Sequence, residues 1–451
     1  MKYKSINPYN GNVVGTHNEH TKKEVSQILQ NSEKAFAEWR DVPLAKRAKL
    51  MANAGDILRK NVDVYARMMT LEMGKPIKES KAEIEKCAWV CDYYAENAEE
   101  FLADQVIKTD ASKSFVRHNP IGCVFAVMPW NYPFWQVFRY AAPTLTAGNV
   151  GILKHARNVL GCAGMIEEVF EKAGFPKGVF QSINVDHTKI EMVISHPAVK
   201  AVTLTGSGPA GSSVAEIAGR YTKRSLLELG GSNAFVVLAD ADLEKAVDTA
   251  VTARMMNTGQ SCIAAKRFII DSKVYDEFVD RFVKAVIELK SGDPLDETTD
   301  IGTLARVDLA EDLEKQVKKS IDEGAELLLG GKRKGAYFEP TVVGSVKPGM
   351  PAFDEETFGP LAAMIKAKNT EHAFELSQKT EFALGISVCT TNVEEAMKYI
   401  DRVADGAFFV NELVKSDPRL PFGGQLMSGY GRELSKDGMM EFINRKTVFV
   451  K

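Results

Sequence analysis

"AVKAVTLTGSGPAG", residues 198–211, runs from an apolar stretch through a glycine turn into a helical pattern. Gly206, Gly208 and Gly211 make a G-x-G-x-x-G spacing. Backbone N–H groups at such a helix start can hold a pyrophosphate. An ordinary strand-to-helix turn uses the same residues, so the surroundings have to decide. Upstream, "IGCVFAVMPW" (121–130) and "GNVGILKHA" (148–156) read as buried strands, and "AFVVLADADL" (234–243) follows as another. Helical patterns over 133–147, 158–174 and 209–220 fall between them. Apolar strands alternating with helices predict a parallel, doubly wound α/β sheet.

The alternation resumes after residue 262. Strands "RFIID" (267–271), "AELLLGG" (325–331), "AAMIKA" (362–367), "GISVCTT" (385–391) and "GAFFVN" (406–411) are interleaved with helices over 273–290, 370–379 and 393–404. That is enough for a second α/β domain, with the border expected near 229–235 at the Gly230-Gly231 pair. Near the N-terminus Thr21 and Glu24 form a capping-box pattern ahead of Val25, Ile28, Leu29 and Phe36. Residues 43–101 read mostly helical, and 104–119 as a hairpin-like excursion.

The chain has 451 residues and a net charge of −3 with both signs interspersed. Its length predicts two or three domains. The absence of a basic tail or stripe argues against nucleic-acid binding. No run of 18 apolar residues occurs, so no membrane span is expected. "MKYKSINPYNG" lacks the apolar core of a signal peptide, and the expected compartment is the cytoplasm. Six cysteines without a CxxC pair read as free thiols, and seven histidines without HExxH give no metal site.

Three residues carry possible chemistry. Cys262 lies in "NTGQSCIAA" (257–265). A lone cysteine is commonly a buried filler. A hydrolytic cysteine wants a histidine, and no histidine here has a context that nominates it. An activator would be a carboxylate or a bound cofactor's charge. Glu228 lies in "LLELGGSN" (226–233), near the spacing of a ribose-binding acid after the glycine turn. Leucines on both sides instead suggest a buried carboxyl of raised pKa that serves as a base. A salt-bridged glutamate fits those residues equally well. Asn131, in "MPWNYPFWQVFRY" (128–140), can donate to an oxyanion or simply make a turn. Arg139, eight residues on, is either functional or a snorkelling helix-edge arginine.

Taken in order, these segments resemble the aldehyde dehydrogenase superfamily. The marks are "PWN" (129–131), Lys154 of the "LKHA" strand, Gly206-Ser207, "ELGG" (228–231), "GQSC" (259–262), "EETFGP" (355–360) and "PFGGQLMSGYGRE" (421–433). The resemblance implies a Rossmann-like cofactor domain (1–100 and 120–228), an α/β catalytic domain (229–432) and a small β oligomerisation flap (101–119 and 433–451). It implies Cys262 as nucleophile, Glu228 as general base and Asn131 in the oxyanion hole. Trp130, Lys154, His155, Arg157, Gly206, Ser207, Leu229, Glu356 and Phe358 would line the cofactor, NADP or NAD. The reaction implied is oxidation of an aldehyde to an acid through a thiohemiacetal and a thioester. A homodimer or tetramer is implied as well.

Arg139 and "KHA" are similar to the short bacterial succinate semialdehyde dehydrogenase branch, where the arginine would clamp the substrate's distal carboxylate. Members of that branch carry a second arginine six residues before the nucleophile; here Met256 stands there and the nearest arginine is Arg254. Ser261, Ser416 and Arg419 are the candidates to complete the anchor, and glutarate semialdehyde is an alternative substrate. NAD-preferring relatives often place a glutamate three residues after the lysine. Arg157 occupies that position and could pair with a 2′-phosphate. Competing readings are a non-redox cysteine acyltransferase or hydrolase, and a cofactor-binding protein without turnover.

Overall fold

The computed structural model describes residues 2–451. A six-stranded sheet has the order Gly429–Tyr430, Arg224–Glu228, Val199–Thr205, Cys123–Met128, Val150–His155, Phe180–Ser182. All its pairings are parallel except that of the Gly429–Tyr430 edge. The chain enters at Cys123–Met128, winds outward to Phe180–Ser182, then crosses back to Val199–Thr205 on the other side. The winding therefore reverses between two central neighbours. Open α/β sheets bind ligands beyond the carboxyl ends of their strands at such a reversal. Trp130-Asn131, Gly206-Ser207 and Leu229 follow directly from three of those carboxyl ends, and Lys154-His155 closes a fourth strand. Both faces are covered, which is why Val124, Phe125 and Ala126 are all fully buried instead of alternating.

Residues 229–232 lead from Glu228 into a second, seven-stranded sheet. Its order is Glu326–Leu329, Thr341–Gly344, Leu361–Ala367, Ala265–Asp271, Asn233–Val237, Ile386–Cys389, Phe408–Val410, and only the Glu326–Leu329 edge is antiparallel. A helical layer of Leu44–Lys60, Val62–Met73 and Ile77–Leu102 lies beside the first sheet; the last of these brings Glu79, Glu83 and Lys86 toward the crevice. The Thr21 capping box forms with both arms.

Several elements carried no clear signal. Arg224–Glu228, Phe180–Ser182 and Thr341–Gly344 are strands of three to five residues. Helix Leu243–Met255 buries Ala246, Ala250 and Ala253 beside Val247, Arg254 and Met255, so its apolar stripe is faint. Helix Val307–Asp322, in contrast, buries Ala310, Leu313 and Val317, an ordinary amphipathic spacing. The helix expected over 393–404 stops at Met397, after which the chain turns Tyr399 inward to stack on Phe374.

Ile443–Val450 pairs along its whole length with Lys113–Pro120, which also pairs with Gln105–Val106. This three-stranded ribbon leaves Val106 82% and Phe449 54% exposed. Within the segment 433–451, the ribbon strand begins at Ile443, and Glu433 is buried and ion-paired with Arg139.

Candidate active site

The segment before Cys262 is a strained turn. Asn257, Thr258 and Gly259 take φ of 56°, 54° and 72°, three successive left-handed residues. Such backbone persists only where its surroundings over-determine it. Asn257 N–H donates to the Glu79 carboxylate (2.6 Å), and its side-chain amide donates to the carbonyls of Asn131 (2.8 Å) and Gln260 (3.0 Å). Thr258 Oγ1 accepts from Gly302 N–H (3.0 Å), and Gln260 Oε1 from Ala305 N–H (2.8 Å). At Gly259 a Cβ would stand 2.2 Å from the Gly359 carbonyl, so no larger residue fits. The turn presents Cys262 to a cavity of about 540 Å³.

Asn131 is fastened to the same turn. Its Nδ2 donates to the Gln260 carbonyl (3.1 Å) and its Oδ1 accepts from Gln136 (2.9 Å). An amide has two N–H donors, and among the described residues only one of those of Asn131 is used. Beyond the cysteine, buried Lys266 donates to the carbonyls of Ser261 (3.0 Å) and Cys262 (2.8 Å) and to Glu356 (3.1 Å). It thereby ties the cysteine loop to Glu356, which also accepts from Gly231 N–H.

Glu228 ends its strand only 2% exposed, and neither carboxyl oxygen has a well-formed hydrogen bond. Leu229 and the two glycines then pass under the cysteine loop: a Cβ on Gly231 would lie 2.8 Å from the Cys262 carbonyl. Burial pushes the Glu228 carboxyl far above the usual carboxylate range; Arg139 opposes this and nearby Glu433 adds to it. Burial likewise pushes the Cys262 thiol up to about 11, against the pull of Arg139 and Lys266. Arg139 is therefore the charge felt most by both groups.

Of the expected cofactor residues, Trp130, Lys154, Gly206, Ser207 and Leu229 stand at or just past the carboxyl ends of strands of the first sheet. Ser207 precedes helix Gly208–Arg220 without capping it through its side chain, so the first-turn N–H groups are open to an anion. Lys154 is half-buried; burial, then the nearby Arg157 charge, lowers its pKa. Arg157 is exposed over the Tyr3 ring. Among the described residues neither cation has an ion-pair partner within 4.0 Å. Two uncompensated cations and an open helix start fit a phosphate-bearing dinucleotide. Trp130 meets Phe358 edge-on at 5.7 Å.

Three assignments change. His155 is not available to a cofactor: its buried ring lies between the carbonyls of Met128 (3.2 Å) and Pro133 (2.9 Å) while Nδ1 accepts from Ala156 N–H. This arrangement fits a neutral ring protonated on Nε2, and burial lowers its pKa to about 4. It braces the loop that carries Trp130 and Asn131. Arg419 is 65% exposed, forks Asp417 and lies over Trp89, outside the cavity lining. Arg139 lines the cavity but is no free clamp; it is ion-paired with buried Glu433, bonded to Thr205 Oγ1 (3.2 Å) and stacked on Phe422. Arg139→Met is accordingly expected to lower kcat for butanal as well as for an ω-carboxylated aldehyde. Steady-state kinetics on both would check this; a loss confined to KM of the charged substrate would restore the simple clamp.

Ser261 and Met256 line the cavity, whereas Arg254 is fully buried and binds the Thr357 and Gly359 carbonyls. Glu79, Lys86, Gln260, Lys266 and Glu433 also shape the site. Except for Gln260 and Glu433, inside quoted motifs, they read as ordinary charges on helices and strands.

Residues 1–448 match the family described as "Aldehyde dehydrogenase family". A protein from Synechocystis named probable succinate-semialdehyde dehydrogenase [NADP(+)] is 48% identical, with both chains covered completely. The succinate-semialdehyde dehydrogenase [NADP(+)] 1 of Mycobacterium tuberculosis strain H37Rv is 45% identical over the full length of both. The crystal structure of succinic semialdehyde dehydrogenase from Streptococcus pyogenes in complex with NADP+ superposes with a TM-score of 0.97 at 34% identity, covering 99% of each chain. With sequence and fold in agreement from end to end, the chain belongs to the aldehyde dehydrogenase family.

Proposed function

We propose that this protein oxidises succinate semialdehyde to succinate with NADP+, and that it also accepts NAD+. The carrying observation is one cavity lined by Cys262 and several cations, with Asn131 fastened to the turn that carries Cys262, in a chain that is 48% identical to an NADP-dependent relative named for this reaction.

In this reading the Cys262 thiolate, its proton first lost to solvent, attacks the aldehyde carbon, and the carbonyl electron pair moves onto oxygen. The spare Asn131 N–H and the Cys262 backbone N–H receive that oxyanion; one such donor is worth about 2.7–4 kcal/mol of barrier. When bound, NADP+ supplies the hydride acceptor. Lys154 and Arg157 would hold its 2′-phosphate, Gly206 and Ser207 its pyrophosphate, and Trp130, Leu229, Glu356 and Phe358 the nicotinamide half. Once the substrate carbon is oxidised, the acyl group is a thioester on Cys262. Glu228 takes a proton from the water that cleaves it, a task suited to a carboxyl of raised pKa. The exposed apolar ribbon supports a homo-oligomer, since an unpartnered sheet edge is readily extended by another copy. No described helix is long and apolar enough to cross a membrane, in keeping with a cytoplasmic enzyme.

Assaying succinate semialdehyde, glutarate semialdehyde and butanal with each nicotinamide tests the reading. The highest kcat/KM is expected for succinate semialdehyde with NADP+. Ester cleavage without nicotinamide reduction would favour a non-redox acyltransferase. Arg157→Glu is expected to shift the NADP+/NAD+ ratio of kcat/KM toward NAD+ by about tenfold or more, the scale of one lost charge-assisted contact. An unaltered ratio would leave Arg157 to solvent.

A further inference from the structure

We infer that Lys86, with the Ser416 hydroxyl, is the anchor for the substrate's distal carboxylate, in place of the arginine missing at Met256. This rests on the proposed semialdehyde reading and deepens it.

Four cations line the cavity. Lys78 is paired with Asp300, Lys415 with Glu412 and Arg139 with Glu433. Among the described residues Lys86 alone of the four has no carboxylate within 4.0 Å. Its Nζ donates to Ser416 Oγ (2.9 Å) and lies 4.3 Å from the centre of the Trp135 ring. Trp135 Nε1 also donates to Ser416 Oγ, at 3.0 Å. A hydroxyl oxygen has two lone pairs, and both are filled. Ser416 therefore has only its own hydrogen left to give, and Lys86 has two further N–H donors. Donors without acceptors, at a half-buried cation with no carboxylate partner, define a carboxylate site. Lys86, Ser416 and Cys262 line the same cavity, so an aldehyde held at Cys262 can turn a carboxylate at its far end toward Lys86. Sequence alone hid this, because a lysine on a long helix reads as solvated.

The charge on Lys86 is titratable in a useful range. Burial, then Arg139, lowers its pKa to about 8, while Cys87 and Glu83 on its own helix and Asp417 from the facing loop oppose the shift. Below that value the ammonium attracts a carboxylate; above it the attraction is lost. kcat/KM reports the free enzyme's groups, and the ratio for two substrates cancels the titration of Cys262.

The test is the kcat/KM ratio of succinate semialdehyde to butanal, measured in competition against pH. In wild type the ratio is expected to fall as pH rises through about 8. In Lys86→Met it is expected to be about ten- to a hundredfold lower at neutral pH and flat in pH. A wild-type ratio that favours succinate semialdehyde but does not move with pH, or that survives Lys86→Met, overturns the anchor alone. A wild-type enzyme with no preference over butanal overturns the semialdehyde reading itself. The wild-type profile requires no variant to fold.

Discussion

Cys262→Ala is expected to yield a folded protein that binds NADP+ and does not reduce it. Removing the nucleophile from a catalytic unit costs on the order of 10⁵–10⁶-fold in turnover. Little structural damage should accompany the change. The turn that carries the residue is held by Asn257, Thr258 and Gln260 and by the Lys266 ammonium on backbone carbonyls, none of which involves the sulfur. Cofactor affinity by calorimetry and nicotinamide absorbance during an aldehyde challenge provide the two readouts. Retained reduction in the variant would remove covalent chemistry from the proposal. In wild type the thiol, at about 11, is largely protonated at neutral pH. Its thiolate fraction grows about tenfold per pH unit, so kcat/KM for butanal is expected to climb with pH.

The Glu228→Gln variant separates the two halves of the reaction. Thioester formation does not use this carboxyl, so one equivalent of reduced cofactor per active site is expected in a rapid burst. Deacylation then stalls, with steady turnover down by about 10²–10⁴-fold, the usual worth of a positioned base. Glutamine preserves the volume at a site where Gly423 stands close enough that a Cβ on it would lie 2.7 Å from Glu228 Oε1. It also removes the burden of an ionisable group with no well-formed hydrogen bond, so thermal stability should hold or rise. Rapid-mixing absorbance on the variant decides the matter. Normal steady turnover would take the base role away from Glu228, and loss of the burst would move that role to the first half.

How far these residues were legible depended on the range of the signal. The two alternations of strand and helix, and the motifs containing Asn131, Glu228 and Cys262, are written within runs of about ten residues, because strand and helix periods are local. The Thr21 capping box is legible for the same reason. Short edge strands such as Phe180–Ser182 are not, since three residues hold less than two periods. The role of His155 could not be read, because its two carbonyl partners are supplied by a loop more than 20 residues away in the chain.

What the amino-acid sequence determined by itself was the family, the two α/β sheets and the segments from which a cysteine, a carboxyl and an amide would come. Only the tertiary structure decided which charges are already spent. Arg139 finds its counter-ion in Glu433, and Lys86 meets Ser416 across 330 residues of chain. Pattern along the chain is fixed by side chains a few positions apart. Ion pairing is fixed by distances in space and by burial, which magnifies an uncompensated charge, and neither exists until the sheets have packed.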